Sequence, residues 1–173
     1  MTSSVNKDLP IPYMQRTRDY YLALGYDNPY CWAHYDEVPF APLGVPLAEA
    51  KLALITTAAP FRPGAGDQGP GAPYNGQAKF FEVYSDSTGS APDLRISHVG
   101  YDRVHTSAED PNTWFPLARL REAVEAGRIG SLTPRFHSAP TNRSQRTTRE
   151  VDALELLRRC REDGADAVLL VPN

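Results

Sequence analysis

Residues 166–173, DAVLLVPN, decide the fold class of this chain. The apolar run at positions 168–171 is typical of a β-strand that is buried on both faces of a sheet. The stretch before it, residues 148–163, carries apolar side chains at helical spacing, and Gly164 follows as a helix C-cap. A helix that passes directly into a buried strand predicts an α/β fold. We expect four side chains of this helix to face inward: Val151, Leu154, Leu157 and Cys160.

The other apolar segments alternate between strands and helices. Residues 51–57, KLALITT, predict a second strand that is buried on both faces. A helix is predicted over residues 115–127, because Pro116 is typical of a helix start and Gly127 of a helix end. Its expected inward side chains are Leu117, Leu120 and Val124. Shorter strands are predicted at residues 79–85, 94–99 and 132–137. This alternation indicates an open, largely parallel sheet with flanking helices.

The predicted sheet is incomplete at its C-terminal end. A parallel strand needs cover on both faces, and no further helix or strand follows residues 166–171. Ligands of open α/β sheets bind beyond the carboxyl ends of the strands, so catalytic residues are expected at this edge. We therefore hypothesise a longer protein; the alternative is a chain that ends naturally at Asn173. Because unpaired edges and apolar patches seek partners, we also expect a homo-oligomer, most simply a dimer.

The N-terminal third has a different character. Residues 10–24 predict a short helix with Pro12 in its first turn and Gly25 as its terminator. Residues 26–47, YDNPYCWAHYDEVPFAPLGVPL, contain too many prolines for a regular helix or a central strand. We expect this aromatic and proline-rich arm to lie extended across the rest of the fold or across a partner chain. The chain thus divides into a helix with an extended arm at residues 1–50 and an α/β domain at residues 51–173.

Composition narrows the class of protein. A net charge of -3 over 173 residues, with a pI near 5.8, argues against nucleic acid as a partner. There is no run of 18 apolar residues and no N-terminal apolar signal region, which argues against a membrane span and against secretion. Two cysteines, Cys31 and Cys160, fit a reduced cytoplasmic protein, and we expect both to be buried.

One glycine motif needs separate treatment. Residues 64–69 match G-x-G-x-x-G after a strand, which is the pattern of a dinucleotide site. Such a site needs a helix to open there, but Pro70 and Pro73 follow and no helical pattern begins. A flexible loop that covers a site is the better interpretation of residues 61–76.

Polar residues near strand ends are the candidate functional groups. His98, Asp102 and His105 are metal-ligand types, but their spacing fits no defined metal motif, and we predict no metal. His98 is the better candidate for substrate contact or proton transfer. Arg135 is placed to recognise a carboxylate, whereas Arg143, Arg146 and Arg149 are interpreted as solvated surface. The residues alone thus indicate an α/β domain with a polar rim and no self-sufficient catalytic set.

Several stretches together resemble a known family. They are residues 12–43, KLALITTA at 51–58, ISHVGYD at 96–102 and, most specifically, N-x-x-F-P-x-x-R-L at 112–120 followed by G-x-I-G-x-L at 127–132. The chain resembles the selenoprotein B family of glycine/sarcosine/betaine reductases and D-proline reductase. The resemblance implies that a turn after AVLLVP bears selenocysteine, or cysteine in some members. It implies truncation at a UGA codon after Asn173, so that the nucleophile lies beyond this chain.

The resemblance also implies a reaction and partners. The selenol attacks a substrate activated elsewhere, often by a pyruvoyl group on a partner subunit, and a C–N bond of an amino acid or amine is cleaved reductively. From this we assign proton transfer or orientation to His98 and His137. The substrate-binding set is Arg135, Thr56, Thr57, Asn112 and Arg119, of which Asn112 and Arg119 hold loops. No cofactor is expected within the chain. The alternative is a non-catalytic protein that binds a small ligand or a partner.

Overall fold

The computed structural model describes residues 9–28, 30–66, 73–141 and 144–173. In chain order its elements are α1 (Tyr13–Ala23), β1 (Lys51–Thr56), β2 (Ala59–Pro60), β3 (Tyr84–Ser87), β4 (Leu94–Arg95), a 3-10 turn (Pro111–Thr113), α2 (Leu117–Glu125), β5 (Ser131–Leu132), β6 (Arg135–Ser138), α3 (Gln145–Thr147), a π-helical turn (Thr148–Asp152), α4 (Ala153–Glu162) and β7 (Ala167–Val171). The predicted α/β fold with a largely parallel sheet is confirmed.

β1 is the centre of this sheet. On one side β5 and β6 follow each other along β1, both parallel to it, and β3 pairs antiparallel with the outer side of β6. On the other side β7 runs parallel to β1 over five register pairs, from Leu52–Ala167 to Thr56–Val171. Among the described residues no strand pairs with the outer side of β7. The last predicted strand is therefore an edge strand.

Helices cover the two faces of the sheet. Leu52 and Leu54 of β1 belong to the larger apolar cluster, which they share with Leu117 and Leu120 of α2. Ala53 and Ile55 point to the opposite face, where Leu156 and Cys160 of α4 pack. The predicted inward face of α2 is confirmed for Leu117 and Leu120, and Val124 is partly buried against the same cluster. Because successive side chains alternate, β1 is buried on both faces, as predicted.

The predicted inward face of the last helix is wrong for three of its four residues. Val151, Leu154 and Leu157 are 54%, 61% and 46% exposed, and only Cys160 is buried. The row that faces the sheet is Asp152, Leu156 and Cys160. The physical reason is the orientation of α4, whose C-terminal end is held by the ion pair between Asp163 and Arg135 of β6. This ion pair turns the Leu154–Leu157 flank away from the core.

Two predicted strands are shorter than expected. Of residues 79–85 only the last two are in a strand, because β3 begins at Tyr84; the segment before it buries Phe80 in a loop instead. Of residues 94–99 only Leu94 and Arg95 form a ladder, antiparallel to β2 in a separate small sheet. β2 ends at Pro60, which has no N–H to donate to a ladder. Ile96 adds one isolated bridge to Tyr74.

The two glycines of the G-x-I-G-x-L motif are each required by the structure, for different reasons. Gly127 ends α2 with a φ of +67°, in the left-handed region that favours glycine. At Gly130 an added Cβ would lie 2.4 Å from the carbonyl carbon of Glu49. In the other glycine motif, Gly64 and Gly66 have positive φ angles, and residues 67–72 of the predicted loop, 61–76, fall outside the described residues. No helix occurs in the described stretches on either side of it, residues 61–66 and 73–83.

The N-terminal region consists of the predicted helix α1 and an arm without regular secondary structure; that the arm lies across the rest of the fold or across a partner chain stays a prediction. α1 ends at Gly25, whose φ is +87°. The rings of Tyr21, Tyr30 and Trp32 pack against one another, but every residue from 33 to 49 is exposed. Cys31 is exposed as well, which corrects the expectation that it is buried; this part of the arm has no core beneath it. None of the helices in the described part of the chain has the length and apolar character of a membrane span.

Candidate functional site

A cavity of about 420 Å³ lies between α1 and the loop that follows Ile96. Its walls combine four tyrosines with two arginines and one histidine, and they consist of Tyr13, Arg16, Thr17, Tyr20, Tyr21, His98, Val99, Gly100, Tyr101, Arg103 and Val104. Its volume falls within the usual size of a small-molecule site. Of the seven predicted site residues, His98 lines this cavity. The other six are not among the residues that line it.

Asp102 holds the two walls of the cavity together. Its Oδ2 accepts a hydrogen bond from the Tyr13 hydroxyl at 3.0 Å and pairs with Arg16 at 2.6 Å, both on α1. Its Oδ1 accepts the backbone N–H groups of Val104 and His105. Burial raises the pKa of Asp102, but the hydrogen bonds from Arg16, Val104 and His105 outweigh it and hold the pKa far below its usual range. The ionised carboxylate therefore fixes α1 to the loop.

His98 lies half-buried in the wall of the cavity. Burial lowers the pKa of His98, so the imidazole is neutral at pH 7 and able to accept a proton. Gly100 makes room for the ring, since a Cβ there would lie 3.0 Å from the His98 Cε1 atom. The position and protonation state of His98 are those that a proton acceptor in the cavity needs.

The two arginines of the cavity differ in their availability. Arg16 is paired with Asp102. The Arg103 guanidinium lies over the ring of Tyr74, 4.1 Å from its centroid, and no carboxylate in the described chain pairs with it. A guanidinium offers several N–H donors in one plane, which suits a carboxylate. Arg103 is therefore the group in this cavity that is best placed to bind an anion.

A second set of polar residues lies at the carboxyl edge of the sheet, where β1 and β7 end. The Thr57 hydroxyl accepts the backbone N–H of Asn173 at 2.8 Å and donates to the Asn173 carbonyl at 3.2 Å. The buried Thr56 hydroxyl lies 3.4 Å from the Asn173 side-chain amide and 3.4 Å from the Trp114 carbonyl. The structure thus brings the two predicted threonines together with the end of β7.

His137 and Arg135 belong to a different environment, which we call the polar cluster: Ser85, Arg135, His137, Arg159 and Asp163. It lies between β3, β6 and α4. His137 is fully buried, with Nδ1 2.8 Å from the Ser85 hydroxyl and Nε2 3.4 Å from the Asp163 carboxylate. Arg135 donates two side-chain N–H groups to the same carboxylate, at 2.7 and 3.1 Å. Both side chains thus make contacts within the fold, and their predicted catalytic and substrate-binding roles stay predictions.

Burial and neighbouring charges set the pKa values in the polar cluster. Burial lowers the pKa of His137, an effect that the Asp163 charge opposes and Arg135 reinforces. The hydrogen bonds to Asp163 raise the pKa of Arg135. A neutral histidine beside an ion pair therefore lies under α4.

The last two predicted residues lie on the segment that leads into α2. The backbone N–H and the side-chain amide of Asn112 both donate to Asp110, which starts the 3-10 turn. The side chain of Arg119 is 61% exposed and pairs with Glu122 on the same helix. The hydrogen bonds from Asn112 to Asp110 hold the turn that leads into α2. The ion pair of Arg119 with Glu122 lies within α2 and holds no loop.

Most residues of the cavity walls were not predicted from the sequence. Tyr13, Arg16, Tyr101 and Arg103 surround His98, although α1 and this loop are far apart in the chain. The burial of Asp102, which requires cationic or hydrogen-bonding partners from elsewhere, is visible only in the structure and not in the local sequence. As for metals, Asp102 contacts His105, and no three potential ligand side chains come together within the described residues.

Comparison with known proteins identifies a family. No curated protein and no solved structure is significantly similar to the chain. The family model described as glycine/sarcosine/betaine reductase selenoprotein B matches residues 24–173, which include the β1–β7 sheet and the His98 loop. The chain therefore belongs to the glycine/sarcosine/betaine reductase selenoprotein B family.

Proposed function

We propose that this chain is a component of an oxidoreductase that reductively cleaves a C–N bond of an amino acid or a related amine. The reaction class rests on the family. The substrate site rests on one observation: the cavity combines Arg103, which no described carboxylate pairs with, with four tyrosine rings and the neutral His98. A selenol or thiol expected beyond Asn173 supplies the nucleophile, and a pyruvoyl group on a partner subunit activates the substrate.

The chemistry of the cavity suits a small zwitterion. Arg103 binds the carboxylate through charge-assisted hydrogen bonds. The tyrosine faces attract an ammonium or quaternary ammonium group through their ring electrons. Because Asp102 already ties Tyr13 and Arg16 in place, these walls are formed before a ligand binds, which lowers the entropic cost of binding.

The chain's own residues then have defined tasks in this proposal. His98 takes or returns a proton at the substrate, because its imidazole is neutral and lines the cavity. Thr56 and Thr57 donate hydrogen bonds at the carboxyl edge. Neither cysteine suits the nucleophile: burial raises the pKa of Cys160, and Cys31 is not among the residues that line the cavity.

Calorimetric titration of the chain with glycine, sarcosine, betaine and D-proline tests the site. We expect saturable binding of at least one of them. Arg103→Gln should weaken that binding about tenfold or more, since a hydrogen bond to a charged group is lost. His98→Asn should leave binding within about threefold, because its proposed task is proton transfer rather than affinity.

Arg128→Gln is the matched control for Arg103. Arg128 is also exposed and has no ion pair in the described chain, but it lies outside the cavity. Failure of all four ligands to bind, or equal effects of the two arginine variants, would remove the cavity from the proposal. Tight binding without reductase activity, in a lengthened chain supplied with partner subunits, would instead support the non-catalytic binding protein.

A further inference from the structure

Polar side-chain contacts hold helix α1 to the opposite wall of the cavity. In the described structure its hydrogen bonds and ion pairs to that wall are those of Tyr13 and Arg16 with Asp102, and one of 3.4 Å from the Tyr20 hydroxyl to the Val99 carbonyl. None of the residues of α1 is buried. Breaking these contacts therefore exposes no core side chain, and local openings of this kind require little free energy.

Asp102 has two separate sets of partners. From α1 it receives the Tyr13 hydroxyl and Arg16, which we call the latch. From its own loop it accepts the backbone N–H groups of Val104 and His105, at 3.0 and 3.2 Å, and its carboxylate lies 2.8 Å from the His105 Nδ1 atom. Because the loop contacts remain when the latch is released, the buried carboxylate is not left without hydrogen bonds. The side chain of Arg16 is 40% exposed and already partly hydrated.

Helix α1 and the residues that follow it form one unit. The ring of Tyr21 lies 5.5 Å from that of Tyr30, which in turn lies 4.9 Å from the ring of Trp32. The unit contacts the body again at Cys31, whose carbonyl accepts a hydrogen bond of 2.8 Å from the Gln145 side chain. The latch is in the first turn of α1 and the Cys31 contact follows the helix. The two contacts therefore lie at opposite ends of the unit.

We propose that α1 is a movable cover of the cavity, which admits the ligand when the latch releases Asp102 and the helix pivots about the contact between Cys31 and Gln145. Since α1 supplies one of the two walls, its movement opens the cavity. The closed position is the one in the structure, and a bound ligand stabilises it by contacting both walls. As a route for the substrate the cover rests on the proposed function, whereas the movement of α1 is independent of it.

Two spin labels measure the movement directly. Gln15 on α1 and Glu125 on α2 are exposed and do not line the cavity, so both positions can carry labelled cysteines. Cys31→Ser removes the other exposed thiol and keeps its backbone carbonyl, and Cys160 is buried. We expect a main separation for the closed position and a second one for the open position. Saturation with the tightest binder among glycine, sarcosine, betaine and D-proline should remove the second one.

Variants of the latch should favour the open position. Arg16→Gln and Tyr13→Phe should each shift the equilibrium towards the second separation about tenfold, because each removes a contact with a charged group. Arg18→Gln is the matched control. It makes the same change on the same helix, but its guanidinium lies 5.2 Å from the centroid of the Trp32 ring, within the moving unit. This variant should leave the two populations unchanged.

Ligand kinetics give a second readout. Arg16→Gln should raise the association and the dissociation rate constants of the ligand about tenfold each, because both entry and release follow opening. A residue that served only as part of the wall would raise the dissociation rate constant alone. An association rate constant that does not rise in Arg16→Gln therefore overturns opening as the route of entry.

The spin-label distances decide the rest. A single separation in the free chain that neither latch variant changes overturns the cover. So does a loss of helical circular dichroism in Arg16→Gln, because α1 would then unfold rather than pivot. An equal shift in Arg18→Gln overturns the assignment of the latch. If none of the four ligands binds, the proposed function loses its site, whereas two separations that depend on Arg16 would still establish the movement of α1.

Discussion

Helices α2 and α4 differ in what their apolar side chains contact. Both sequences carry apolar residues at helical spacing, and both helices pack on the central sheet. α2 buries Leu117 and Leu120 against the strands, as its pattern predicts. α4 leaves Leu154 and Leu157 in solvent. An apolar period therefore predicts a helix in both cases, but it predicts burial only where the same chain supplies a surface to cover.

Polar contacts decide the orientation of α4. On the α2 side the core is broad, because Phe115 of the preceding loop packs its ring 4.7 Å from that of Phe136. On the α4 side the polar cluster, rather than apolar side chains, lies between the helix and the strands β3 and β6. The ion pair between Arg135 and Asp163 fixes the C-terminal end of the helix. Pairing the buried Asp163 carboxylate outweighs the burial of two leucines, since an unpaired buried charge is costly.

The largest expected effect compares equivalent changes on the two helices. Leu117→Ala should lower the free energy of unfolding by about 2–5 kcal/mol, because it leaves a cavity beneath α2. Leu154→Ala should change it by less than about 0.5 kcal/mol, because the side chain is already in solvent. Urea unfolding, followed by circular dichroism at low protein concentration, measures both. A similar loss of unfolding free energy in the two variants would show that Leu154 is buried within the monomer.

The same distinction explains how much of the structure the sequence could predict. The fold class, β1 and α2 follow from local patterns, because their apolar side chains are buried within this chain. The orientation of α4 depends on Asp163 meeting Arg135, which no local pattern reports. The cavity depends on Asp102 meeting Tyr13 and Arg16 of α1, which lie 89 and 86 positions away in the sequence. Only His98 could be identified there, because it lies at the end of a predicted strand.

The connection after α2 provides the next test. Gly130→Ala should lower the free energy of unfolding by about 1–3 kcal/mol, because the new Cβ would lie 2.4 Å from the Glu49 backbone. Gly44→Ala is the control, since its φ is not positive and no atom lies within 4 Å of the added Cβ. Thermal and urea unfolding should show a loss in the first variant and none in the second. Equal stabilities would mean that residues 47–50 yield easily, and that the α2 side is less rigid than its packing indicates.

The smallest expected effect on stability comes from His137 in the polar cluster under α4, and it depends on pH. Burial lowers the pKa of His137, so the unfolded chain binds its proton more readily than the folded chain does. Stability should therefore fall as the pH drops below about 6.5, with a slope of at most about 1.4 kcal/mol per pH unit from this residue. Above that pH both states carry a neutral imidazole, so His137 no longer contributes to the pH dependence of the stability.

His137→Asn removes the titrating group and should make the pH dependence shallower. Burial also lowers the pKa of His98, so part of the slope should remain in this variant and disappear in the double variant with His98→Asn. Urea unfolding between about pH 5 and 8 measures these slopes and avoids the titration of Glu155, whose pKa of about 2 follows from hydrogen bonds to Arg158 and Arg159. An unchanged slope in His137→Asn would mean that protonated His137 is tolerated beside Asp163. The polar cluster would then orient α4 through charge alone, and a neutral His137 would not be needed for its packing.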